Sequence, residues 1–252
     1  MFGVNMNWLS RVIGKLTNPK SKYVTPGLEE KAEKKPPPTD ESEQSERRSR
    51  IETRLRGEGV PLNPDLPPVP PVSSLRFKEP DEVAHRVTAL TLVGMKASGM
   101  DHDVMQEIVS ERKAHDYFTA SERAFMDNPS PGEDEMAHFA NGFESAWALI
   151  WALRLVREPL TTPRNPCQPE KVIEIVRDTP DLTMRRLRTP GRLAEKLEMF
   201  QLYNWAIQQA QAQGKGPPAQ LNSIVAQERF RAMSWLTCQP ENEDWCELDE
   251  TG

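Results

Sequence analysis

Cysteine is scarce, and its spacing excludes more than it offers. The chain of 252 residues has three, Cys167, Cys238 and Cys246. An odd number without tight pairing is not a disulfide framework, and no C-x-x-C spacing provides a structural zinc site. Free thiols in a reducing cytoplasm are the expectation. Long apolar runs are missing as well. No stretch reaches the ~20 apolar residues of a membrane-spanning helix, and no basic stretch precedes an apolar core to mark a secretory signal. Excess positive charge is absent: the formal net charge is −6. That disfavours bulk nucleic-acid binding, which rests on lysine and arginine neutralising phosphates. There is no G-x-S-x-G elbow for a nucleophilic serine. No glycine loop cradles phosphate, since Gly214-Lys215-Gly216 reads as a helix stop. Alternating strand patterns and internal repeats are also lacking.

What is present is helical periodicity. From Ala146 to Leu153 no residue is polar, and a helix that is apolar all round is a buried one. The expected fold is all-α, a single irregular multi-helix bundle around this buried central helix, which should run from about 136 to 156 with an irregularity at Asn141-Gly142. Hydrophobic content is 37%, and the 23 prolines cluster at 36–38 and 61–71, so tails and loops dilute the core locally.

In chain order, residues 6–16 place Trp8, Leu9, Val12 and Ile13 at helical spacing opposite Arg11 and Lys15. This is a short basic amphipathic helix. It suits docking on a partner or a membrane surface, or packing on its own domain. Residues 17–45 are too polar to offset their ordering entropy, so residues 1–45 form an amphipathic helix plus flexible linker. The domain proper spans 46–252. A helix over 46–56 carries Arg47, Arg48, Arg50, Arg54 and Arg56, with Ile51 and Leu55 as its packing stripe; the arginines read as a solvated face or as a surface for an acidic partner. The proline-rich run to Pro71 should lie extended over the domain, anchored by Leu62 and Leu66. Pro80, Asp101, Thr119, Pro169, Thr189-Pro190 and Pro217-Pro218 mark helix starts. Trp147, Trp151, Trp205 and Trp235 lie at core spacing.

Two helical stripes contain a polar residue where an apolar one is expected: Asn204 in the stripe of Leu193, Leu197, Phe200 and Ile207, and Glu228 in that of Leu221, Val225, Ala232 and Trp235. Glu144, beside Phe143, Ala148 and Trp151, is a third conflict. A buried carboxylate demands a partner, and Arg188, Arg229 and Arg154 are candidates. Arg229 points about 100° away from Glu228 around its helix, so Arg188 is the expected cross-helix partner of Glu228, with Asn204 completing the set. The candidate polar cluster is therefore Glu144, Arg188, Asn204, Glu228 and Arg229, read either as a site in a helical cleft or as a network holding helices in register. His102-Asp103 and His115-Asp116, with His85 and His138, invite comparison with metal-dependent phosphohydrolases. His102-Asp103 sits at a helix start and His115-Asp116 just before a capping box, so neither lies well within a helix that would fix ligand geometry. No metal site and no cofactor is expected.

Several segments together resemble domain of unknown function family 4272, found mainly in bacteria. They are Glu82-Val83-Ala84-His85-Arg86, Glu144 with Leu149-Ile150-Trp151-Ala152-Leu153, Pro159, Cys167, Leu187-Arg188 and Trp205-Ala206. The final helix matches through Val225, Glu228-Arg229, Ala232 and Trp235-Leu236, and Asp244-Trp245 with Thr251 follows. The resemblance spans roughly 50–251. It departs at Glu195, Glu198 and Asn204, where the family tends to carry acidic residues and then histidine, and at Cys246, where it often has aspartate. It implies an all-α fold and brings no assigned activity. The leading expectation is a cytoplasmic, non-enzymatic module that binds another protein, without nucleic acid and without a transmembrane segment. The alternative is a hydrolase using acidic residues, with or without a metal.

Overall fold

The computed structural model describes residues 39–179 and 181–237, together with Trp245. The expected docking side chains Trp8, Leu9, Val12 and Ile13 lie outside the described residues, as do Cys238 and Cys246. Every regular element among the described residues is helical, so the domain is all-α.

The first helix, α1 (Asp40–Glu58), opens earlier than hydrophobic spacing places it. Thr39 caps it by accepting from the Ser42 amide, and Asp40, Glu41 and Glu43 crowd the first turn, where the helix dipole favours acid. Capping chemistry thus draws part of the polar stretch into the helix. Gly59 closes it at φ 78, a left-handed conformation that glycine adopts without steric cost. The proline-rich segment that follows is free of helix up to Pro71 and packs on the domain, but it is not extended throughout: it turns at Asn63–Leu66. Its deepest anchors are Val60 and Val69, with Leu62 and Leu66 only partly buried.

Helix α2 (Pro80–Ala97) starts with proline at its first position and a reciprocal capping box between Glu79 and Glu82. Asp101 caps α3 (His102–Arg112), and the Thr119/Glu122 capping box opens α4 (Ala120–Asp127). The expected helix over 136–156 is two helices, α5 (Glu133–Ala140) and α6 (Gly142–Ala152), broken at Asn141. It also ends early, because Arg154 turns left-handed at φ 61. Helix α7 (Pro169–Asp178) and the long α8 (Pro190–Ala212) both begin on proline, and Asn222 caps α9 (Ser223–Leu236).

From Phe143 on, helix α6 is buried along its length except at Trp147, which is half-buried with the Lys171 ammonium 5.3 Å from its ring centre. Trp205 is likewise half-buried, whereas Trp151 and Trp235 belong to the core. The centre of the bundle is shared. Helix α2 sends Val83, Val87 and Leu90 into a large core with α6, α8 and α9. Its other side sends Ala89, Leu92 and Val93 into a second core with Met105, Val109 and Phe125 of α3 and α4. A helix used on both sides has no polar face to show, which fits its nearly continuous burial.

The α2–α6 contact depends on Gly94. A Cβ there would stand 2.8 Å from two ring carbons of Phe143, and that ring is itself buried. Gly94→Ala should therefore destabilise the domain by about 1–3 kcal/mol through overpacking, although alanine is the better helix former by ~1 kcal/mol. Denaturant midpoints measure the balance. A raised midpoint would mean that Phe143 has room to move aside.

Candidate functional site

Two of the expected polar residues meet in the core. Glu144 on α6 and Arg229 on α9 are both buried. The Arg229 Nε donates to Glu144 Oε2 at 3.0 Å, and its Nη2 lies 2.9 Å from the same oxygen. The other carboxylate oxygen accepts the backbone N–H of Cys167. Arg229 Nη1 reaches on to the Thr161 carbonyl at 3.3 Å. One ion pair therefore ties two helices to the proline-rich connection between α6 and α7. Burial pushes the Cys167 thiol far above its ordinary range, and the adjacent Glu144 carboxylate adds to the effect. The thiol is held protonated, which removes the nucleophilic thiolate.

Glu228 stands beside this pair. It is half-buried and accepts from Ser145 Oγ of α6 at 2.7 Å. Its arginine neighbour is Arg231 of its own helix, at 3.8 Å. Arg188 is engaged elsewhere, so the cross-helix arginine expected for Glu228 is replaced by a serine. The Arg188 guanidinium caps the C-terminus of α6. Its Nε donates to the Trp151 carbonyl at 2.7 Å and its Nη2 to the Val156 carbonyl at 2.6 Å. Its backbone N–H donates to the Ala152 carbonyl, and its Cζ lies 4.5 Å from the Trp151 ring centre. A cation at orphan carbonyls is what a helix C-terminus favours. Asn204 is half-buried on α8 and is not among the partners of Glu144 or Glu228.

An enclosed space of about 20 Å³ touches Glu228, Arg231, Glu122, His138 and Trp245. It is no larger than about one water requires. A wider groove of about 440 Å³ opens on the other side of Trp245, lined by Glu82, His85, Asp116, Tyr117 and Trp235 among others. The four histidines do not converge. His102 meets Lys96 at 3.1 Å, His85 stacks on Tyr117, and His138 stands edge-on to Phe139. Among the described residues no cluster of His, Cys, Asp and Glu has the make-up of a metal site, and no helix is long and apolar enough to cross a membrane.

Further buried charges lie outside the expected cluster. Arg47, which its sequence neighbourhood sets among arginines expected at the surface, is fully buried and donates to Glu198, also fully buried, at 2.7 Å. It also reaches Glu43 at 2.6 Å and the Val69 carbonyl at 2.6 Å. The available signal was on α8: Glu198 lies four residues before Leu202, on a second apolar stripe behind the one containing Leu197 and Phe200. Arg86 pairs with Glu122 across α2 and α4. Lys196 is buried with its ammonium on the Leu160 carbonyl at 2.8 Å and no carboxylate among its ion pairs. Burial lowers its pKa from 10.5 to about 8, helped by the Arg54 charge and opposed by Glu195 and Glu58.

The family model for a domain of unknown function, DUF4272, matches residues 47–248. The chain belongs to this family. The DUF4272 match covers both the Glu144–Arg229 pair and the aromatic groove. Comparison with curated proteins and with solved structures finds no match.

Two outcomes follow from the buried charges. Arg229→Ala should cost ~3–5 kcal/mol, because it strands the Glu144 carboxylate. The double variant Glu144→Leu/Arg229→Met should recover most of the loss; additive losses in chemical denaturation would mean that the two side chains are not coupled. Lys196 sets a pH dependence. Below pH 8 both folded and unfolded chains carry the proton, and burying the charge costs up to about 3 kcal/mol. Between pH 8 and 10.5 the unfolded chain binds more protons, so this cost shrinks as pH rises. Lys196→Met should therefore stabilise most near pH 7 and progressively less toward pH 10.5. A gain independent of pH would show that the amine titrates normally.

Proposed function

We propose that this DUF4272 member is a non-enzymatic, cytoplasmic module that binds another protein. The observation that carries the reading is where the polar groups are directed. Both oxygens of Glu144 are taken by Arg229 and the Cys167 amide, and Arg188 is held by helix-end carbonyls. A carboxylate satisfied on both oxygens has little capacity left to act as a general acid or base, which weighs against the hydrolase alternative. The aromatic groove beside α2 and α9, by contrast, is open to solvent and brings together tryptophan and tyrosine, residue types that dominate binding hot spots. Residues 6–16, with Trp8, Leu9, Val12 and Ile13, supply a second contact in this reading on sequence pattern alone, to the partner or to a membrane surface. The cytoplasmic assignment rests on the cysteine spacing.

The test is retention of a partner. The tagged full chain, expressed in cells of its native host, should co-elute with a protein at fixed stoichiometry on size exclusion, and the Tyr117→Ala chain should lose it. A chain that elutes alone, yet turns over ester or phosphoester substrates in a manner abolished by Glu144→Gln, would overturn the proposal in favour of the hydrolase.

A further inference from the structure

Building on the protein-binding reading, we infer that the groove between α2, the turn at His115–Tyr117 and α9 receives an arginine side chain of the partner polypeptide. Three observations converge on this chemistry. The first is shape. His85 and Tyr117 form a flat stack, with ring centres 4.0 Å apart and planes 15° from parallel, and Trp235 and Trp245, edge-to-face at 5.5 Å, line the same groove. A groove of about 440 Å³ exceeds what one side chain needs, so flanking backbone fits as well.

The second is charge. Glu82 and Asp116 are the exposed carboxylates of the groove. Glu82 is shared with Lys78 at 3.5 Å and with the Glu79 amide it caps. Of the cations beside the groove, Arg86 is turned to Glu122 and Lys78 lies over Trp235 at 5.6 Å. Asp116 takes part in none of the ion pairs among the described residues, so it is the group that an incoming cation would meet. A planar guanidinium can engage a carboxylate through two parallel N–H donors while lying flat on an aromatic ring.

The third is precedent within the molecule. Guanidinium over ring recurs in this fold: Arg188 on Trp151 at 4.5 Å, and Arg86 and Arg231 on Trp245 at 4.9 and 4.6 Å. A partner arginine on the outer face of the His85–Tyr117 stack repeats a packing the core already uses, and such contacts gain strength as water is excluded.

The experiment uses the full chain and capped tripeptides, Gly-X-Gly with X as arginine, lysine, citrulline or norleucine. Binding is followed by NMR at the aromatic signals of His85 and Tyr117. The arginine peptide should shift these signals saturably and bind about tenfold tighter than the citrulline peptide, which keeps the shape without the charge. Asp116→Asn should remove most of that preference while the thermal midpoint stays unchanged. Equal binding of arginine and citrulline, equal binding of arginine and lysine, or shifts confined to other signals would each overturn the inference. A native partner that is retained by the Tyr117→Ala and Asp116→Asn chains would also overturn it, while leaving the protein-binding reading intact.

Discussion

A carboxylate inside a helical core has to be answered by donors, and Glu144 is answered from two directions. Arg229 approaches from α9 and the Cys167 amide from the connection that precedes α7. The irregular segment between α6 and α7, rich in proline and short of helix, therefore has a fixed path. Thr161 extends the same path by accepting from Arg229, and Asn222 adds a bond to the Pro163 carbonyl just before α9 begins. The charge pair thus touches a loop as well as two helices, and losing one partner alone strands the other in the core.

The same logic recurs around the C-terminus of α6. Its last carbonyls, together with those of the segment beyond it, collect Arg188 and Lys196, two cations without a carboxylate partner in these contacts. Backbone oxygen substitutes for carboxylate there, with the helix dipole adding to the attraction. Two residues further along α8, Glu198 meets Arg47, which combines both solutions by binding that carboxylate and the Val69 carbonyl. Buried cations in this fold serve chiefly to hold irregular backbone in place.

Helix starts were legible in the sequence because capping is local chemistry: Glu79-Pro80, Asp101, Thr119 and Thr189-Pro190 each act within a turn of themselves. Glu144 was legible because an acid beside apolar neighbours contradicts its surroundings. Arg47 was not, since its partner Glu198 is 151 positions away and the same helix carries Arg50, Arg54 and Arg56, which do face solvent. Assigning Arg188 to Glu228 failed for a related reason. Periodicity gives the direction of a side chain around its own helix, but not which other helix stands opposite. The split of the central helix at Asn141 was visible as an irregularity, whereas its early end at Arg154 depends on a backbone conformation that nothing in that residue type demands.

The position of α2 between two cores has a consequence for how the molecule breathes. Helices α3 to α5 cannot detach without exposing Ala89, Leu92 and Val93, the back of a helix whose front is locked to α6. The groove lies across that seam: His85 comes from α2, Tyr117 from the turn on the second-core side, and Trp235 from α9 in the main core. Whatever occupies it clasps both cores at once. Occupancy must then disfavour the local opening of α3 to α5, and that opening must weaken occupancy by the same coupling free energy. Binding at this face and the rigidity of the smaller core are thermodynamically a single quantity.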